Sequence, residues 1–404
     1  MIQSIFVTGL YRSGTTLLEK ILHSHPQIYL VSQPFPNLYF RAKTKFLTEN
    51  NLTRSFPLDH LFLEQDYSPK EFQAFLEHYT FVATDINELF EAMTAYSGQQ
   101  TPELLQYRAQ IIPGTFFEIY RQLLEVVLNS AERDHLAYVG SKEIICEEFV
   151  PFFLVKDVKV IIILRDPRDI ISSLNFGEGS RYTGDIRPLL YSLRQWRKSV
   201  SFCLTHRNHP NFLFVKYEAL VQDIWSVLDQ ITGFLELEAF SRDIFAQGIK
   251  EQTGEVWGGN SSFNKYVSIS PNSIGNFTQK LSTDCIRYIE SICYPEFCVL
   301  NYEFLYQRPG PDLNLIENFK EPFPVSHRHF EPDYTHQPDR IRVEIQRLRH
   351  LQGDNLSQDE QRRWYIFSKA YQEMKMRLSN QPASSHRSDD CNPIMRLLNK
   401  NAYR

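Results

Sequence analysis

The run Phe6-Val7-Thr8-Gly9-Leu10-Tyr11-Arg12-Ser13-Gly14-Thr15-Thr16 constrains this chain more than any other stretch of its 404 residues. A short apolar run with strand character stops at Gly9, crosses a polar loop, and enters a helix predicted over about Gly14 to Ser24. Gly9 frees the chain to turn out of the strand, and Gly14 lets backbone come close to a ligand. The unpaired N–H groups and positive dipole end of the helix then converge on one point, which suits an anion. Arg12 adds a charged donor, and Ser13, Thr15 and Thr16 add hydroxyls. A Walker A loop would carry Lys directly after the second glycine. Thr15 stands there instead, and the cation, Arg12, lies two residues before Gly14, which argues against an ATP-type phosphate loop.

Further strand candidates follow at Gln27–Ser32, Leu136–Ser141, Val158–Leu164 and Asn211–Tyr217, separated by helical patterns. Their unbroken apolar character, as in Val160-Ile161-Ile162-Ile163-Leu164, fits strands buried on both faces. The expected fold is therefore α/β: a P-loop-type parallel sheet flanked by helices. Residues 34–135 lack strand pattern and read as a long helical insertion above the strand ends. The main domain is expected to span 1–306, followed by an extended arm over 307–338. Two helices are expected over 339–378, the first with Ile341, Ile345 and Leu348 on one face. In the second, Ser357 to Glu360 forms a capping box, and Trp364, Phe367, Tyr371, Met374 and Leu378 share a stripe. The polar remainder, 379–404, is expected to be disordered.

A second anion site is written into Leu164-Arg165-Asp166-Pro167-Arg168-Asp169-Ile170-Ile171-Ser172-Ser173. A buried strand delivers Arg165 at its end, Pro167 starts a helix, and Ser173 follows eight positions after Arg165. Arg165 can grip a phosphate with two parallel bonds. Two anion sites on one sheet suit a nucleotide phosphorylated at both ends. Arg168 is expected to pair with carboxylates.

These two segments, with His25-Pro26 after the first, resemble the 5′-phosphosulfate and 3′-phosphate motifs of the sulfotransferase superfamily. The nearest branch by resemblance is that of the tyrosylprotein sulfotransferases and their bacterial relatives. The likeness spans about residues 4–302. It implies a sulfuryl transfer from 3′-phosphoadenosine 5′-phosphosulfate (PAPS) to a hydroxyl or amine acceptor, releasing PAP, with no metal. It implies further that Arg12, Ser13, Gly14, Thr15, Thr16, Arg165 and Ser173 hold the nucleotide and that Tyr217, in Val215-Lys216-Tyr217-Glu218, meets the adenine region. Trp257–Ser262 and Ser273–Phe277 resemble the late loop over the 3′-phosphate, with Lys265 as its nearest cation, before a helix and a strand or turn at Tyr294–Leu300.

In-line transfer needs a base for the acceptor and a cation for the departing oxygen. Arg12 and Lys142 are the candidate cations. In the tyrosylprotein branch a Glu follows the second strand. Here Gln33 stands at that approximate position and cannot take a proton. Glu143 is the remaining candidate base, while His23 and His25 are expected to pack or cap. Two other readings compete. A kinase-like phosphotransferase would use Asp166 to hold magnesium, and a non-catalytic PAP- or PAPS-binding protein would account for Gln33.

The net charge of −5 argues against a nucleic-acid partner. Six scattered cysteines without CxxC pairs read as thiols in a reducing compartment, and no signal or membrane-spanning run is visible, so the cytoplasm is expected. No motif marks the acceptor or an oligomeric state.

Overall fold

The computed structural model describes residues 2–33, 35–52, 67–94, 102–129, 135–175, 186–250, 255–259, 269–306, 309–326, 330–353 and 356–380. Its centre is a five-stranded sheet built from β1 (Gln3–Thr8), β2 (Ile28–Ser32), β5 (Tyr138–Lys142), β6 (Lys159–Leu164) and β7 (Phe212–Lys216). The order is β2-β5-β1-β6-β7, and every neighbouring pair is parallel. The remaining strands, β3 (Thr80–Phe81) and β4 (Gly114–Thr115), pair only with each other, antiparallel. All five central strands lie within a residue or two of where the apolar runs placed them.

Burial on both faces explains why those runs do not alternate. Phe6, Val160, Ile162 and Leu164 face one core, while Ile5, Val7, Ile161 and Ile163 face a second. The second core is closed by Leu18, Ile21 and Leu22 of the helix Thr15–His23 and by Leu228 and Ile231 of the helix Ile224–Leu235. At Gly140 the β1 backbone passes so close that an added Cβ would sit 1.8 Å from the carbonyl oxygen of Ile5, so no side chain fits in the middle of β5.

The described residues of the segment 34–135 are mostly helical, with helices at Pro36–Glu49, Pro69–His78, Ala83–Ala92 and Phe116–Asn129. It covers the first sheet face as well as the strand ends, because Leu38, Tyr39, Phe72, Phe116 and Tyr120 share the core of Phe6, Phe149 and Phe153. The aromatic richness of the chain is spent largely here. Phe6 and Phe153 sit 4.7 Å apart, and Tyr39 meets Phe149 edge-on at 4.8 Å.

Two expectations in the C-terminal third are corrected. Tyr294–Leu300 is a helix, not a strand or turn. Pro295 fits its first turn, and Asn301, in left-handed backbone, ends it. The single helix expected after Ser357 is two, Gln358–Tyr365 and Ser368–Ser379, parted where Ile366 takes a φ of +69°. The Ser357 capping box itself forms as the sequence predicts. Before it, the helix Pro338–Gln352 buries Glu344 and Arg347 beside Leu348 and Leu351, while Ile341 and Ile345 are only partly covered. The arm after Tyr306 is packed: Ile316, Phe319, Phe323 and Tyr334 join the first core. The five described cysteines are buried and form no disulfide among the described residues. Cys391 and the tail from 381 lie outside the described residues, as do Lys265 and Asn260–Ser262 of the late loop.

Candidate functional site

The loop after β1 is shaped by two left-handed residues. Gly14, the residue before the helix Thr15–His23, has φ +96°, and Arg12 has φ +63°. Among the described residues no side chain caps this helix at Gly14. A Cβ on Gly14 would lie 2.5 Å from the ring of Tyr217, so the glycine is required by space as well as by φ.

The second segment meets the first through side chains. Arg12 Nε donates to Ser173 Oγ at 2.9 Å, which joins the β1 loop to the helix Pro167–Asn175. Arg165, at the end of β6, donates to the carbonyl of Arg12 at 3.0 Å and to the carbonyl of Ser273 at 2.8 Å. Its guanidinium lies over the Tyr217 ring, 4.4 Å from the centroid. The remaining nitrogen, Nε, is buried with no hydrogen-bond partner among the described residues. A buried donor of this kind is costly unless something accepts from it. Tyr217 reaches Ser273 Oγ at 2.5 Å. Arg12, Gly14, Arg165, Ser173 and Tyr217 therefore form one contiguous site.

Sequence reasoning missed the parts that hold this site together. Asp169 accepts from the backbone N–H groups of Gly275 at 2.8 Å and Phe277 at 3.2 Å, which fixes the loop that carries Ser273. Burial pushes the Asp169 carboxyl up to about 6, opposed by Arg165. Glu218 accepts from the backbone of Asp166 at 2.7 Å, and burial pushes it up to about 7. Neither acid belongs to a spacing pattern, since each acts on a loop distant in sequence. Arg168 pairs with Asp166 and Glu290 as expected.

The catalytic candidates other than Arg12, namely Lys142 and Glu143, lie at the end of β5. Lys142 Nζ donates to Gln33 Oε1 at 3.2 Å, so the residue after β2 meets the residue ending β5. Gln33 itself has φ +46° and is bonded through its N–H to the carbonyl of Lys142 at 2.7 Å. Burial pulls the Lys142 ammonium below its ordinary range. Glu143 points elsewhere: its carboxylate accepts from the N–H of Phe35 at 2.9 Å, and burial pushes it up to about 8. His23 and His25 make backbone bonds, to Leu30 and to Gln27 and Glu238 respectively. Among the described residues no cluster of His, Cys, Asp and Glu suits a metal ion, and no helix is long and apolar enough to cross a membrane.

Several solved structures are similar in part. The sulfotransferase domain from the curacin biosynthetic pathway is 19% identical, with a TM-score of 0.41, covering 75% of this chain and 99% of that chain. The sulfotransferase domain of the Synechococcus PCC 7002 olefin synthase is 20% identical, with a TM-score of 0.38, over 72% of this chain and 95% of its own. A mouse sulfotransferase complexed with PAP is 14% identical, with a TM-score of 0.35, over 70% and 81%. No curated protein matches the chain. Residues 4–242, more than half of the sequence, match the model of the sulfotransferase family. They take in both candidate anion-binding segments and Tyr217, and the chain belongs to the sulfotransferase family.

Proposed function

We propose that this protein is a PAPS-dependent sulfotransferase acting on a hydroxyl or amine acceptor. The observation that carries the reading is the buried, unpartnered Nε of Arg165, held in one site with Arg12 and the uncapped helix after Gly14. A nucleotide with a phosphosulfate at one end and a 3′-phosphate at the other satisfies both. In this assignment Ser13, Gly14, Thr15 and Thr16 receive the 5′ end through backbone and hydroxyl donors. Arg165 and Ser173 take the 3′-phosphate, and the Tyr217 ring borders the adenosine.

The acceptor oxygen or nitrogen would form a bond to sulfur as the bond from sulfur to the bridging phosphate oxygen breaks, leaving PAP. Arg12 and Lys142 stabilise the charge that grows on the departing phosphate. Glu143 is the candidate for the acceptor proton, but burial raises it to about 8, so it is ionised and able to accept only above that range, and its carboxylate is turned to the N–H of Phe35. The test is transfer of labelled sulfuryl from PAPS to a panel of phenols, alcohols and amines, with PAP release followed in parallel. PAP release that requires an acceptor supports the reading. Tight PAP binding without transfer to any acceptor favours a second reading, a nucleotide-binding protein without turnover. The observation behind that alternative is Gln33, whose carboxamide occupies Lys142 where a carboxylate could serve as base.

A further inference from the structure

Lys142 ends β5, and strand alternation decides what surrounds its side chain. Tyr138, four residues earlier, and Val7, its partner in the parallel register with β1, both lie in the second core. Lys142 therefore leaves β5 on that face. Glu143 leaves on the other face, where its carboxylate meets the N–H of Phe35, a residue of the first core. The second core is covered at this end by the helix Thr15–His23, which lays Leu18 and Leu22 on the sheet. Glu19 lies on the same helix, one turn below Thr15, and is fully buried. Lys142 is only 1% exposed.

A buried ammonium needs a counter-charge or it gives up its proton. Gln33 accepts from Lys142 Nζ at 3.2 Å, but its carboxamide carries no charge. Burial pulls the Lys142 ammonium down. Among the described groups Glu19 opposes that pull most, ahead of Glu143, while Lys20 adds to it. Lys20 is itself buried, with its Nζ 3.5 Å from the Glu19 carboxylate. Glu143 is raised to about 8 by burial, so it keeps its proton at neutral pH and supplies little charge there. The described charged groups that face Lys142 are thus Glu19 and Lys20 from the helix and Glu143 from β5. Of these, Glu19 is the one that supports the ammonium at neutral pH.

We propose that Glu19 is a positioning residue for transfer, which keeps Lys142 charged from the helix behind the phosphate loop. The proposal deepens the PAPS reading and rests on it, since Lys142 there meets the charge on the departing phosphate. It also accounts for Gln33. The residue after β2 orients Lys142 through a neutral carboxamide, and the helix that starts at the phosphate loop supplies the negative charge.

The test uses the full chain labelled with 13Cε-lysine, in which the Lys142 signal is the one lost in Lys142→Arg. Its titration is followed by NMR in the nucleotide-free protein, in Glu19→Gln and in Lys20→Gln. Lys142 should lose its proton at lower pH in Glu19→Gln and at higher pH in Lys20→Gln, because the two removed charges have opposite signs. PAP affinity, measured against pH by calorimetry, should follow. At the pH where the native protein has lost half of its neutral-pH affinity, Glu19→Gln should have lost about tenfold of its own. A Lys142 titration that does not move in either variant, or moves the same way in both, overturns the proposal. A merely structural role for Glu19 has no means of producing opposite shifts. If Glu19→Gln does not fold, Lys20→Gln alone decides, and an unmoved or lowered titration there overturns the proposal. Failure of the native protein to bind PAP counts against the donor reading alone, because the lysine titration needs no nucleotide.

Discussion

Gly14 and Arg165 are central to the proposed donor site, and each makes a separate demand on the sequence. Gly14 needs both left-handed backbone and an empty Cβ position against Tyr217. Gly14→Ala should cost roughly 1–3 kcal/mol in thermal or urea unfolding. It should also lower PAP affinity at least about tenfold in a binding titration. Arg165→Ala should weaken PAP by about ten- to a hundredfold, the worth of a charge-assisted contact, while adenosine 5′-phosphosulfate, which lacks the 3′-phosphate, loses little. Equal losses for the two ligands would remove Arg165 from the 3′ end. Glu143 makes a prediction in pH. Burial raises its carboxyl to about 8, so the folded protein keeps a proton that the unfolded chain has already released. Stability should therefore fall as pH rises from the ordinary carboxyl range through about 8, and Glu143→Gln should flatten that slope in melting curves. Arg12, Gly14, Arg165 and Ser173 were legible because they sit in local strand-turn-helix patterns. Asp169 and Glu218 were not, since their roles arise from contacts with residues far away in the chain.

At the level of elements, the five strands could be read because burial on both faces writes a continuous apolar run. The helical character of 34–135 was also visible, but not which face it would cover, which depends on how aromatic rings from four helices interlock. The helix Tyr294–Leu300 escaped because Phe297, Cys298 and Val299 suit a strand as well as a buried helix. The largest surprise is polar. Glu344 of the helix Pro338–Gln352 is shared by Arg194 at 2.7 Å, Arg197 and Arg347 at 3.3 Å, all of them buried. Against the upward push of burial, Arg197, Arg194 and Arg347 hold the Glu344 carboxyl well below its usual range. Glu344→Ala takes the shared carboxylate from three buried guanidiniums and should lower stability by about 3–5 kcal/mol in urea unfolding. A loss below about 1 kcal/mol would mean that water reaches the network.

Across the whole molecule, the segments after residue 306 close the first core, where Leu348, Tyr365, Tyr371 and Met374 pack with Trp196 and Phe297. A chain ended at 306 exposes that surface and strips Arg194 and Arg197 of Glu344. It should therefore lack a cooperative unfolding transition by calorimetry. The central claim, a site for a nucleotide anchored at both ends, is tested most directly by thermal-shift titration of the intact protein with PAP and with ATP–Mg. The account predicts a rise in melting temperature that grows with PAP concentration and is absent with ATP–Mg. Stabilisation by ATP–Mg and none by PAP would contradict it.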